Sequence, residues 1–574
     1  MISLTIDGRK VEVEEGSSIL DAARKVAIKI PTLCNHEDQE VKANCRICVV
    51  EVEGRPGLQA SCSTPAEEGM VVHASSPLVI RTRKRIMELI LSRHPAKCLT
   101  CAKNGECELQ EVASDLHLTT DSDYETDIRK SERDTSSPSI VRDMSKCILC
   151  RRCIETCGKM QDIKVMDCED RGYNTMVVPP YQKNLADTAC VNCGQCVQVC
   201  PTGALTIKDD TKKFHENISA GKHMVIQLAP SVRVNIAESL GEDPGTVSTG
   251  RLVTALKIIG FDRVFDANFA ADLTILEEGN ELLSRLKGGG TLPMFTSCCP
   301  GWIKYIETFA PDLTPHLSTC KSPMQMFGPL IKTYFAEKEG IDPKDICSVA
   351  MMPCTAKKFE CQREEMNASG YQDVDMVLTV TEVARMIRTA CIDFSKLEET
   401  EFDNPFGLGS GAGLIFGATG GVMEAALRTV YEVVTGEELA KLEFESVRGK
   451  EGWKEASVNL AGTEVKVAIV HTLANAKKLI ELVREGKADY HFVEVMACPG
   501  GCVSGGGNAP RTWSKVEERL KAIYEEEKRL PIRKSHENPY VKKCYEEFLK
   551  EPLGEKSHEL LHTRYYDRSD LLSV

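Results

Sequence analysis

The sequence feature that most constrains this chain is an internal repeat of closely spaced cysteines. The spacing C-x2-C-x2-C-x3-C occurs twice, and the half-motif CILCRRC of the first copy returns as CVNCGQC in the second. In iron–sulfur runs of this spacing, the fourth cysteine of each copy binds the cluster of the other copy. The repeat therefore predicts two [4Fe–4S] clusters with crossed ligands, one on Cys147, Cys150, Cys153 and Cys200, the other on Cys190, Cys193, Cys196 and Cys157.

The composition favours metal binding over disulfide formation. The chain has 26 cysteines in 574 residues, and its first residues lack the basic and apolar segments of a secretory signal peptide. No apolar run reaches the roughly 18 residues of a membrane span. We therefore expect a cytoplasmic protein whose cysteines bind metal. The formal net charge of −14 predicts no nucleic-acid partner.

Two further ligand sets precede the repeat. The first has the spacing C-x10-C-x2-C-x13-C, which suits a [2Fe–2S] cluster or a zinc ion, and consists of Cys34, Cys45, Cys48 and Cys62. The second has the spacing H-x3-C-x2-C-x5-C, which by itself suits zinc and iron equally, and consists of His94, Cys98, Cys101 and Cys107.

Residues 1–78 show the pattern of a small β-rich domain. Apolar residues alternate with polar ones on both sides of an Asp7-Gly8 turn signal, which predicts a hairpin with Ile2, Leu4, Ile6, Val11 and Val13 on its inner face. A helix over about Ile19 to Val26 and a strand from Cys48 to Val52 should follow. This arrangement resembles the plant-type ferredoxin fold, and the run from Cys34 to Cys107 resembles the N-terminal segment of the large iron–sulfur subunit of respiratory complex I. The resemblance implies a [2Fe–2S] cluster on the first ligand set and a [4Fe–4S] cluster with His94 as a ligand on the second.

Residues 210–574 have a different pattern, in which apolar strands alternate with helices. Three cysteine motifs follow such strands: TSCCPGW at 296–302, MPCTAKKFE at 352–360 and EVMACPGGCVSGGG at 494–507. Ligands collect at strand ends in open α/β sheets. A helix after each loop would direct backbone N–H groups towards an anionic site.

These three motifs resemble the signature loops of [FeFe]-hydrogenases, in order and in detail. The resemblance implies that a [4Fe–4S] cluster is held by Cys299, Cys354, Cys498 and Cys502. Cys502 would also bridge to a diiron unit carrying CO, cyanide and an azadithiolate, which completes the H-cluster. Other pocket positions would be Met352, Met496, Lys357, Pro230, Ser231 and Phe416, with Lys357 bonded to a cyanide.

Cys298 lies next to a ligand position without being one. From the residues alone, a buried structural cysteine is the more common role. The resemblance instead implies that its thiol passes protons to the ligand amine, and an ordinary thiol pKa of about 8.5 would suit that role.

Glu278, Glu281 and Arg285 share one helical face, which by spacing alone predicts an exposed, ion-paired surface. The resemblance implies that they form a proton route together with Ser318.

Taken together, the resemblances imply a multidomain α+β and α/β chain. Its expected parts are a β-grasp ferredoxin-like domain at 1–78, a His/Cys3 [4Fe–4S] domain at 79–127, a bacterial two-[4Fe–4S] ferredoxin domain at 138–209 and a two-lobed α/β hydrogenase domain at 210–574. A basic amphipathic helix is expected at 81–94 and a polar connector at 120–137. The implied activity is reversible H₂ formation, with electrons relayed by one [2Fe–2S] and three [4Fe–4S] clusters.

The implied partners are a flavin- and NAD-binding iron–sulfur subunit, a small thioredoxin-like [2Fe–2S] subunit and ferredoxin, in an electron-bifurcating complex. A stand-alone ferredoxin-dependent hydrogenase, an H₂ sensor and an electron-transfer or assembly homologue are the alternatives. Met324 departs from relatives that carry glutamine there. Structural burial is expected for the remaining cysteines, Cys168, Cys320, Cys347, Cys361, Cys391 and Cys544.

Overall fold

A computed structural model describes residues 1–118, 124, 127–128, 131–439, 441–460 and 462–573. Within the predicted connector, residues 120–123, 125–126 and 129–130 lie outside the described residues. The chain divides into two compact units. The first comprises Met1–Lys159, Lys164–Leu185 and Val199–Thr206, and the second comprises Met160–Ile163, Ala186–Gln198 and Ile207–Val574.

The first unit begins with a mixed sheet. Its strands are β1 (Ile2–Ile6), β2 (Arg9–Val13), β3 (Val49–Val52), β4 (Leu58–Ala60) and β5 (Val71–His73), in the order β2-β1-β5-β3-β4. The predicted hairpin is confirmed, because Ile2 pairs with Val13 and the turn residues Asp7 and Gly8 both have positive φ. The predicted helix is α1 (Ile19–Lys25), which starts at a capping box between Ser18 and Asp21.

The rest of the first unit consists of short elements around two longer helices. The predicted basic helix begins earlier than expected, because Ser76 caps it and Pro77 occupies its first turn. The elements are α2 (Pro77–Ser92), α3 (Glu108–Asp115), β6 (Arg133–Asp134), β7 (Ile140–Asp143), α4 (Arg152–Glu155), β8 (Asp167–Glu169), β9 (Met176–Val178) and β10 (Leu205–Ile207).

The second unit contains two largely parallel sheets, as the alternating pattern predicted. One has the order β12-β11-β14-β15 and is parallel throughout, with strands β11 (His223–Leu228), β12 (Arg263–Asp266), β14 (Ile346–Met352) and β15 (Met376–Thr379). The other has the order β13-β18-β17-β16 and an antiparallel edge, with strands β13 (Met294–Phe295), β16 (Trp453–Leu460), β17 (Thr463–His471) and β18 (Phe492–Met496).

Helices connect and cover these two sheets. They are α5 (Gln195–Gln198), α6 (Thr211–Ser219), α7 (Ile236–Ser239), α8 (Thr249–Ile259), α9 (Asn268–Ser284), α10 (Pro300–Phe309), α11 (Pro323–Leu330), α12 (Ala336–Glu339), α13 (Ala356–Glu360), α14 (Val380–Thr389), α15 (Gly411–Leu414), α16 (Gly421–Thr435), α17 (Leu473–Arg484), α18 (Trp513–Arg529), α19 (Pro539–Cys544) and α20 (Glu555–Leu561). Among the described residues, no helix is long and apolar enough to cross a membrane.

Helix α9 corrects one expectation from the sequence. Spacing alone predicted an exposed face for Glu278, Glu281 and Arg285, but α9 packs against α11, α15 and α16 and is buried along most of its length. Glu278 is 2% exposed, and Glu281 and Arg285 are each 8% exposed. The exposed-surface prediction is therefore wrong, because neighbouring helices cover the charged face.

The three cysteine motifs follow strands β13, β14 and β18, as predicted. The expected helix starts directly after two of them, because α10 begins beyond Cys299 and α13 begins beyond Thr355. The prediction is wrong for the third motif. There the chain makes a 3₁₀ turn at Cys502–Ser504, and the next α-helix begins only at Trp513.

The expectation of burial for the unassigned cysteines is confirmed for Cys320, Cys347, Cys361 and Cys544. It is wrong for Cys391, which is exposed just after the end of α14 with a φ of 54°. Cys168 is half-buried in β8.

Glu494 links strand β18, which precedes the third cysteine motif, to the start of helix α16. Its buried carboxylate accepts hydrogen bonds from the backbone N–H groups of Gly420 (2.6 Å) and Met423 (2.8 Å). A carboxylate at this position matches the positive end of the helix dipole.

We predict that Glu494→Gln destabilises the second unit by about 1–3 kcal/mol, because an amide NH₂ would face a backbone N–H and leave it unbonded. Thermal unfolding followed by circular dichroism would measure the loss. Glu464→Gln, at an exposed position of β17 in the same sheet, serves as the control. Equal melting temperatures for the two variants would contradict the prediction.

Candidate active site

The second unit contains a cavity at the ends of strands β14 and β18. Its wall includes every cofactor ligand predicted for the catalytic half, namely Cys299, Cys354, Cys498 and Cys502, together with the predicted pocket residues Cys298, Pro230, Ser231, Met352, Lys357, Phe416 and Met496. Met324, the departure noted in the sequence, also lines it.

The four ligand cysteines face a mostly apolar space. Burial and the nearness of the other thiols raise the pKa of Cys354 to about 12 and the pKa of Cys498 and Cys502 well above the usual thiol range. Free thiolates would therefore be unfavourable here. A bound metal removes this penalty, because metal-bound thiols are deprotonated outright. The four thiols fit a cysteine-ligated iron–sulfur group.

Lys357 is the one charged side chain among the described residues that line the cavity. Its Nζ donates to Glu360 Oε2 (2.7 Å) and to the carbonyl oxygen of Cys298 (3.2 Å). Burial lowers the pKa of Lys357, but the Glu360 carboxylate more than offsets this and keeps the pKa above its ordinary value. Lys357 therefore carries a fixed positive charge that can bind an anionic group. Glu360 was missed in the sequence, although its i+3 spacing from Lys357 could have identified it.

Cys298 differs from the sequence expectation in its acidity. The surface that it exposes lines the cavity, so the thiol is desolvated. Burial, followed by the charges of Glu278 and the neighbouring cysteines, raises the pKa of Cys298 well above the ordinary value assumed from the sequence. The thiol therefore stays protonated and holds a proton at the cavity wall.

Glu278 is buried near Cys298 and its charge acts on that thiol. No hydrogen bond of good geometry reaches either carboxylate oxygen from the described residues. Burial and then the charge of Glu281 raise the pKa of Glu278 to about 8, against smaller opposing effects of the Ser318 hydroxyl and the Ser297 N–H. A carboxyl group with this pKa exchanges protons near neutral pH.

Ser318, Glu281 and Arg285 form a connected set beyond Glu278. The Ser318 hydroxyl donates to Glu281 Oε2 (2.8 Å), and Arg285 Nη2 donates to Glu281 Oε1 (2.6 Å). Arg285 is anchored in addition by the carbonyl oxygen of Leu317 (2.7 Å). The structure thus brings together all five residues that the sequence resemblance placed on a proton route.

The second ferredoxin-type run lies partly in the same unit as this cavity. Cys190, Cys193 and Cys196 fall within Ala186–Gln198 of the second unit, whereas Cys157 belongs to the first. A Cβ placed on Gly506 would lie 2.5 Å from the carbonyl oxygen of Cys193. The backbone at Cys193 therefore packs directly against the loop of the third cysteine motif, which contains Gly506.

Gln195 lies between these cysteines and was missed in the sequence. Its Nε2 donates to Cys498 Sγ (3.3 Å) and to the carbonyl oxygen of Ser504 (3.0 Å). Nothing in the CVNCGQC spacing signals this role, because glutamine is an ordinary choice in such a run.

In the first unit, one pocket is lined by Cys147, Cys150, Cys153 and Cys200. These are the three leading cysteines of the first run and the last cysteine of the second, which is the crossed set that the spacing predicted. The pocket wall is otherwise mostly apolar and fits a cysteine-bound cubane.

The His/Cys3 residues lie beside that pocket in the same unit. Cys107 Sγ is 3.5 Å from the carbonyl oxygen of Pro201, and a Cβ on Gly203 would lie 2.6 Å from Cys101 Sγ. Burial lowers the pKa of His94 to about 4, and its buried Nδ1 has no hydrogen-bond partner in the part of the chain that is described. A neutral imidazole with an unused nitrogen fits a metal ligand.

The four thiols of the first set also converge. Cys48 Sγ and Cys62 Sγ are 3.4 Å apart. Hydrogen bonding to Cys34 and then burial raise the pKa of Cys45, while hydrogen bonding to Cys48 and then burial raise that of Cys62. Such crowding of buried thiols fits a shared metal centre.

Family models match nearly the whole chain in consecutive segments. They describe a 2Fe-2S iron–sulfur cluster binding domain (1–77), an NADH-ubiquinone oxidoreductase-G iron–sulfur binding region (83–121), an NADH-quinone oxidoreductase subunit 3 ferredoxin-like domain (137–206), the C-terminal domain of the iron-only hydrogenase large subunit (222–506) and the iron hydrogenase small subunit (514–568).

Individual proteins agree with these matches. The NADP-reducing hydrogenase subunit HndD of Solidesulfovibrio fructosivorans is 48% identical, with all of both chains covered. Iron hydrogenase 1 of Clostridium pasteurianum is 39% identical over 98% of this chain and 100% of that protein. The apo [FeFe]-hydrogenase HydA1 from Chlamydomonas reinhardtii matches with a TM-score of 0.57 and 42% identity, over 63% of this chain and 99% of that one. The thiol-lined cavity and the full-length similarity lead to one conclusion: the chain belongs to the [FeFe]-hydrogenase family and is an enzyme.

Proposed function

We propose that this chain is a hydrogenase catalytic subunit that interconverts two protons and two electrons with H₂. The observation that carries the proposal is the single buried cavity on which four ligand cysteines, the Cys298 thiol and the Lys357 ammonium converge. No separate substrate pocket is needed, because H₂ is small enough to pass between side chains and protons are relayed by hydrogen-bonding groups.

Cys299, Cys354, Cys498 and Cys502 would hold the [4Fe–4S] part of an H-cluster, with Cys502 shared with a diiron unit that carries CO, cyanide and azadithiolate. When bound, this group supplies the centre at which electrons and protons are exchanged with H₂. Lys357 would bind an anionic ligand of the group through its fixed charge. Met352, Met496, Phe416, Pro230 and Ser231 would exclude water from it.

Electrons would travel through one [2Fe–2S] and three [4Fe–4S] clusters. The [2Fe–2S] cluster would use Cys34, Cys45, Cys48 and Cys62. The [4Fe–4S] clusters would use three sets: His94, Cys98, Cys101 and Cys107; Cys147, Cys150, Cys153 and Cys200; and Cys190, Cys193, Cys196 and Cys157. The corresponding domains would be a β-grasp ferredoxin-like domain (1–78), a His/Cys3 domain (79–127), a two-cluster ferredoxin domain (138–209) and a two-lobed catalytic domain (210–574).

Protons would move between solvent and cavity through Arg285, Glu281, Ser318, Glu278 and Cys298. Cys298 Sγ holds a proton at the cavity wall. When Cys298 gives up that proton, Glu278 can supply another, because the raised pKa of Glu278 lies near neutral pH. Ser318 would relay a proton between the two glutamates, because its hydroxyl, which donates to Glu281 Oε2, can both accept and donate.

We predict that Cys298→Ala lowers H₂ turnover by about 10²-fold or more, which is the usual effect of losing a proton-transferring group. Iron content and the infrared bands of CO and cyanide should not change, because Cys298 is not a ligand. The exposed Cys391→Ala is the matched control. Full activity of Cys298→Ala would refute its role, and absence of CO and cyanide bands from matured wild-type enzyme would refute the hydrogenase proposal.

We predict a similar loss, about 10²-fold, for Glu278→Gln, because the amide keeps the shape of the side chain but cannot exchange a proton near neutral pH. H₂ evolution from a strong artificial reductant would measure the loss, with the infrared spectrum as a check on the cofactor. Glu337→Gln, at an exposed position, is the control. Wild-type turnover in Glu278→Gln would show that protons take another path.

We infer a cytoplasmic, multi-subunit enzyme that couples H₂ to NAD(H) and ferredoxin by electron bifurcation. The full-length similarity to a subunit of an NADP-reducing hydrogenase supports this. The partners would be a flavin- and NAD-binding iron–sulfur subunit and a thioredoxin-like [2Fe–2S] subunit. The stand-alone, ferredoxin-dependent alternative is supported by the similarity to iron hydrogenase 1.

Purification from native cells would separate these alternatives. We expect the chain to elute with flavin-containing and thioredoxin-like subunits and to support H₂-dependent NAD⁺ reduction. A chain that purifies alone, with full ferredoxin-linked activity, would contradict the multi-subunit proposal.

A further inference from the structure

A second chain of polar side chains ends at Glu281 and is not part of the proton route proposed above. Thr319 Oγ1 lies 3.3 Å from Glu281 Oε2 and 2.8 Å from His562 Nδ1. On the far side of the imidazole, His562 Nε2 lies 3.2 Å from Glu277 Oε2. An unbroken series of hydrogen bonds therefore joins Glu277, His562, Thr319 and Glu281.

Backbone pairing holds this series in place. The N–H of Lys321 donates to the carbonyl oxygen of Leu561 (2.8 Å), and the N–H of Thr563 donates to that of Thr319 (2.8 Å). Residues 319–321 thus pair with residues 561–563, and Cys320 and His562 form a β-bridge. The position of the imidazole against Thr319 is consequently set by main-chain geometry.

Glu277 fixes the tautomer of His562. Its carboxylate also accepts from the Tyr545 hydroxyl (2.5 Å) and the Leu553 N–H (2.8 Å). Burial acts to raise the pKa of Glu277, but the hydrogen bonds from His562 and Tyr545 outweigh it and hold the pKa below the ordinary value. Glu277 is therefore an anion that can only accept, so Nε2 of His562 carries a hydrogen and Nδ1 faces Thr319. Catalytic dyads use a buried carboxylate in this way to orient an imidazole and stabilise its cation.

The direction of the hydrogen bond between Thr319 and His562 depends on the protonation state of His562. With a neutral imidazole, the Thr319 hydroxyl donates to Nδ1. Once His562 gains a second proton, Nδ1–H donates to Thr319 Oγ1, and the hydroxyl hydrogen turns towards Glu281 Oε2. One proton then enters at the imidazole and another leaves towards Glu281, with no net change at Thr319.

Three residues around this series could also form a metal site. Donor atoms of Glu281, Cys320 and His562 lie within 4.8 Å of one another. The carboxylate of Glu281, however, already accepts hydrogen bonds from Arg285, Ser318 and Thr319. A cation would have to displace these donors and approach the Arg285 guanidinium. Proton transfer, in contrast to metal binding, would leave these hydrogen bonds to Glu281 in place.

The series reaches the protein surface at Thr319, which is exposed. His562 is 9% exposed, and the ring of the exposed His558 lies against it, with ring centroids 4.5 Å apart. An imidazole can carry a hydrogen on one or on both of its ring nitrogens, which suits proton exchange with solvent. The ionisable groups around His562 are Glu277, Glu281, Cys320 and His558.

We propose that Glu277, His562 and Thr319 form a second proton entrance that joins the main route at Glu281. The inference rests on the proposed function, since it needs the path from Glu281 to Cys298. It assigns a role to the segment that matches the iron hydrogenase small subunit, because His562 lies within residues 514–568. His562 takes a proton from water, Thr319 relays one to Glu281, and the imidazole returns to neutral. Evolution of H₂ draws protons inwards along this path, and oxidation of H₂ sends them outwards.

The test uses paired variants of the full, matured enzyme. Thr319→Val removes the hydroxyl at nearly constant volume, whereas Thr319→Ser keeps it. His562→Gln keeps hydrogen-bonding capacity but cannot ionise, and His562→Ala opens space for free imidazole. The exposed His215→Gln is the control for the loss of a histidine.

We expect H₂ turnover to fall about tenfold in Thr319→Val, His562→Gln and His562→Ala, less than for loss of a sole proton-transfer group because the Arg285 entrance stays open. The solvent deuterium isotope effect should rise, while iron content and infrared bands stay unchanged. Imidazole in the buffer should restore His562→Ala, since Thr319 is exposed, but should not restore Thr319→Val. Thr319→Ser and His215→Gln should behave as wild type.

Three results would overturn the inference: wild-type turnover in both His562→Gln and Thr319→Val, equal losses in Thr319→Val and Thr319→Ser, or a loss in His562→Ala that imidazole leaves unchanged. Failure of the proposed function would look different. A matured wild-type enzyme without H₂ turnover would defeat that function, and this inference with it, before any variant is compared.

Discussion

Desolvation of the thiol-lined cavity is the constraint on which the rest of this structure depends. Lys357 is the one charged group among its described lining residues, and its charge is balanced by Glu360 rather than by water. Burying an unpaired charge in such surroundings is energetically unfavourable, so thiols there either bind metal or stay protonated. Protons and electrons would therefore reach the cavity through the protein by separate paths. In the function proposed above, side chains of α9 belong to the proton path, and the cysteine runs provide the cluster ligands of the electron path.

Much of this arrangement could be predicted from the sequence because cysteine spacing is a strong local signal. A C-x2-C-x2-C-x3-C run leaves few alternatives to a cubane ligand set, and the pocket shared by Cys147, Cys150, Cys153 and Cys200 agrees with the crossed pattern. Alternation of apolar residues likewise predicted the first hairpin and the parallel strands before each catalytic loop. In each case the information lies within a few neighbouring residues.

Features that depend on distant packing could not be predicted in this way. The i, i+3 and i+7 spacing of Glu278, Glu281 and Arg285 is the same on an exposed helix as on a buried one, and only α11, α15 and α16 decide the outcome. The altered acidity of Cys298 has the same origin. Gln195 lies 303 positions from Cys498 in the sequence, and His562 lies 243 positions from Thr319, so no local pattern could have joined either pair.

The glutamates of α9 have different acidities, although they lie on one helix, because their surroundings differ. Glu277 and Glu278 are consecutive and both buried, yet hydrogen bonds hold the pKa of Glu277 below its ordinary value whereas burial raises that of Glu278 to about 8. The first is suited to remain a fixed anion that orients an imidazole, and the second to exchange a proton. Glu281, one turn further on, is held by Arg285 and Ser318 and receives the Thr319 hydroxyl. Carboxyl groups whose environments push their acidities apart are a recurrent basis for dividing acid–base roles. On α9 this division follows from which neighbours each successive residue meets, so the packing of a single buried helix sets the different acidities of Glu277 and Glu278.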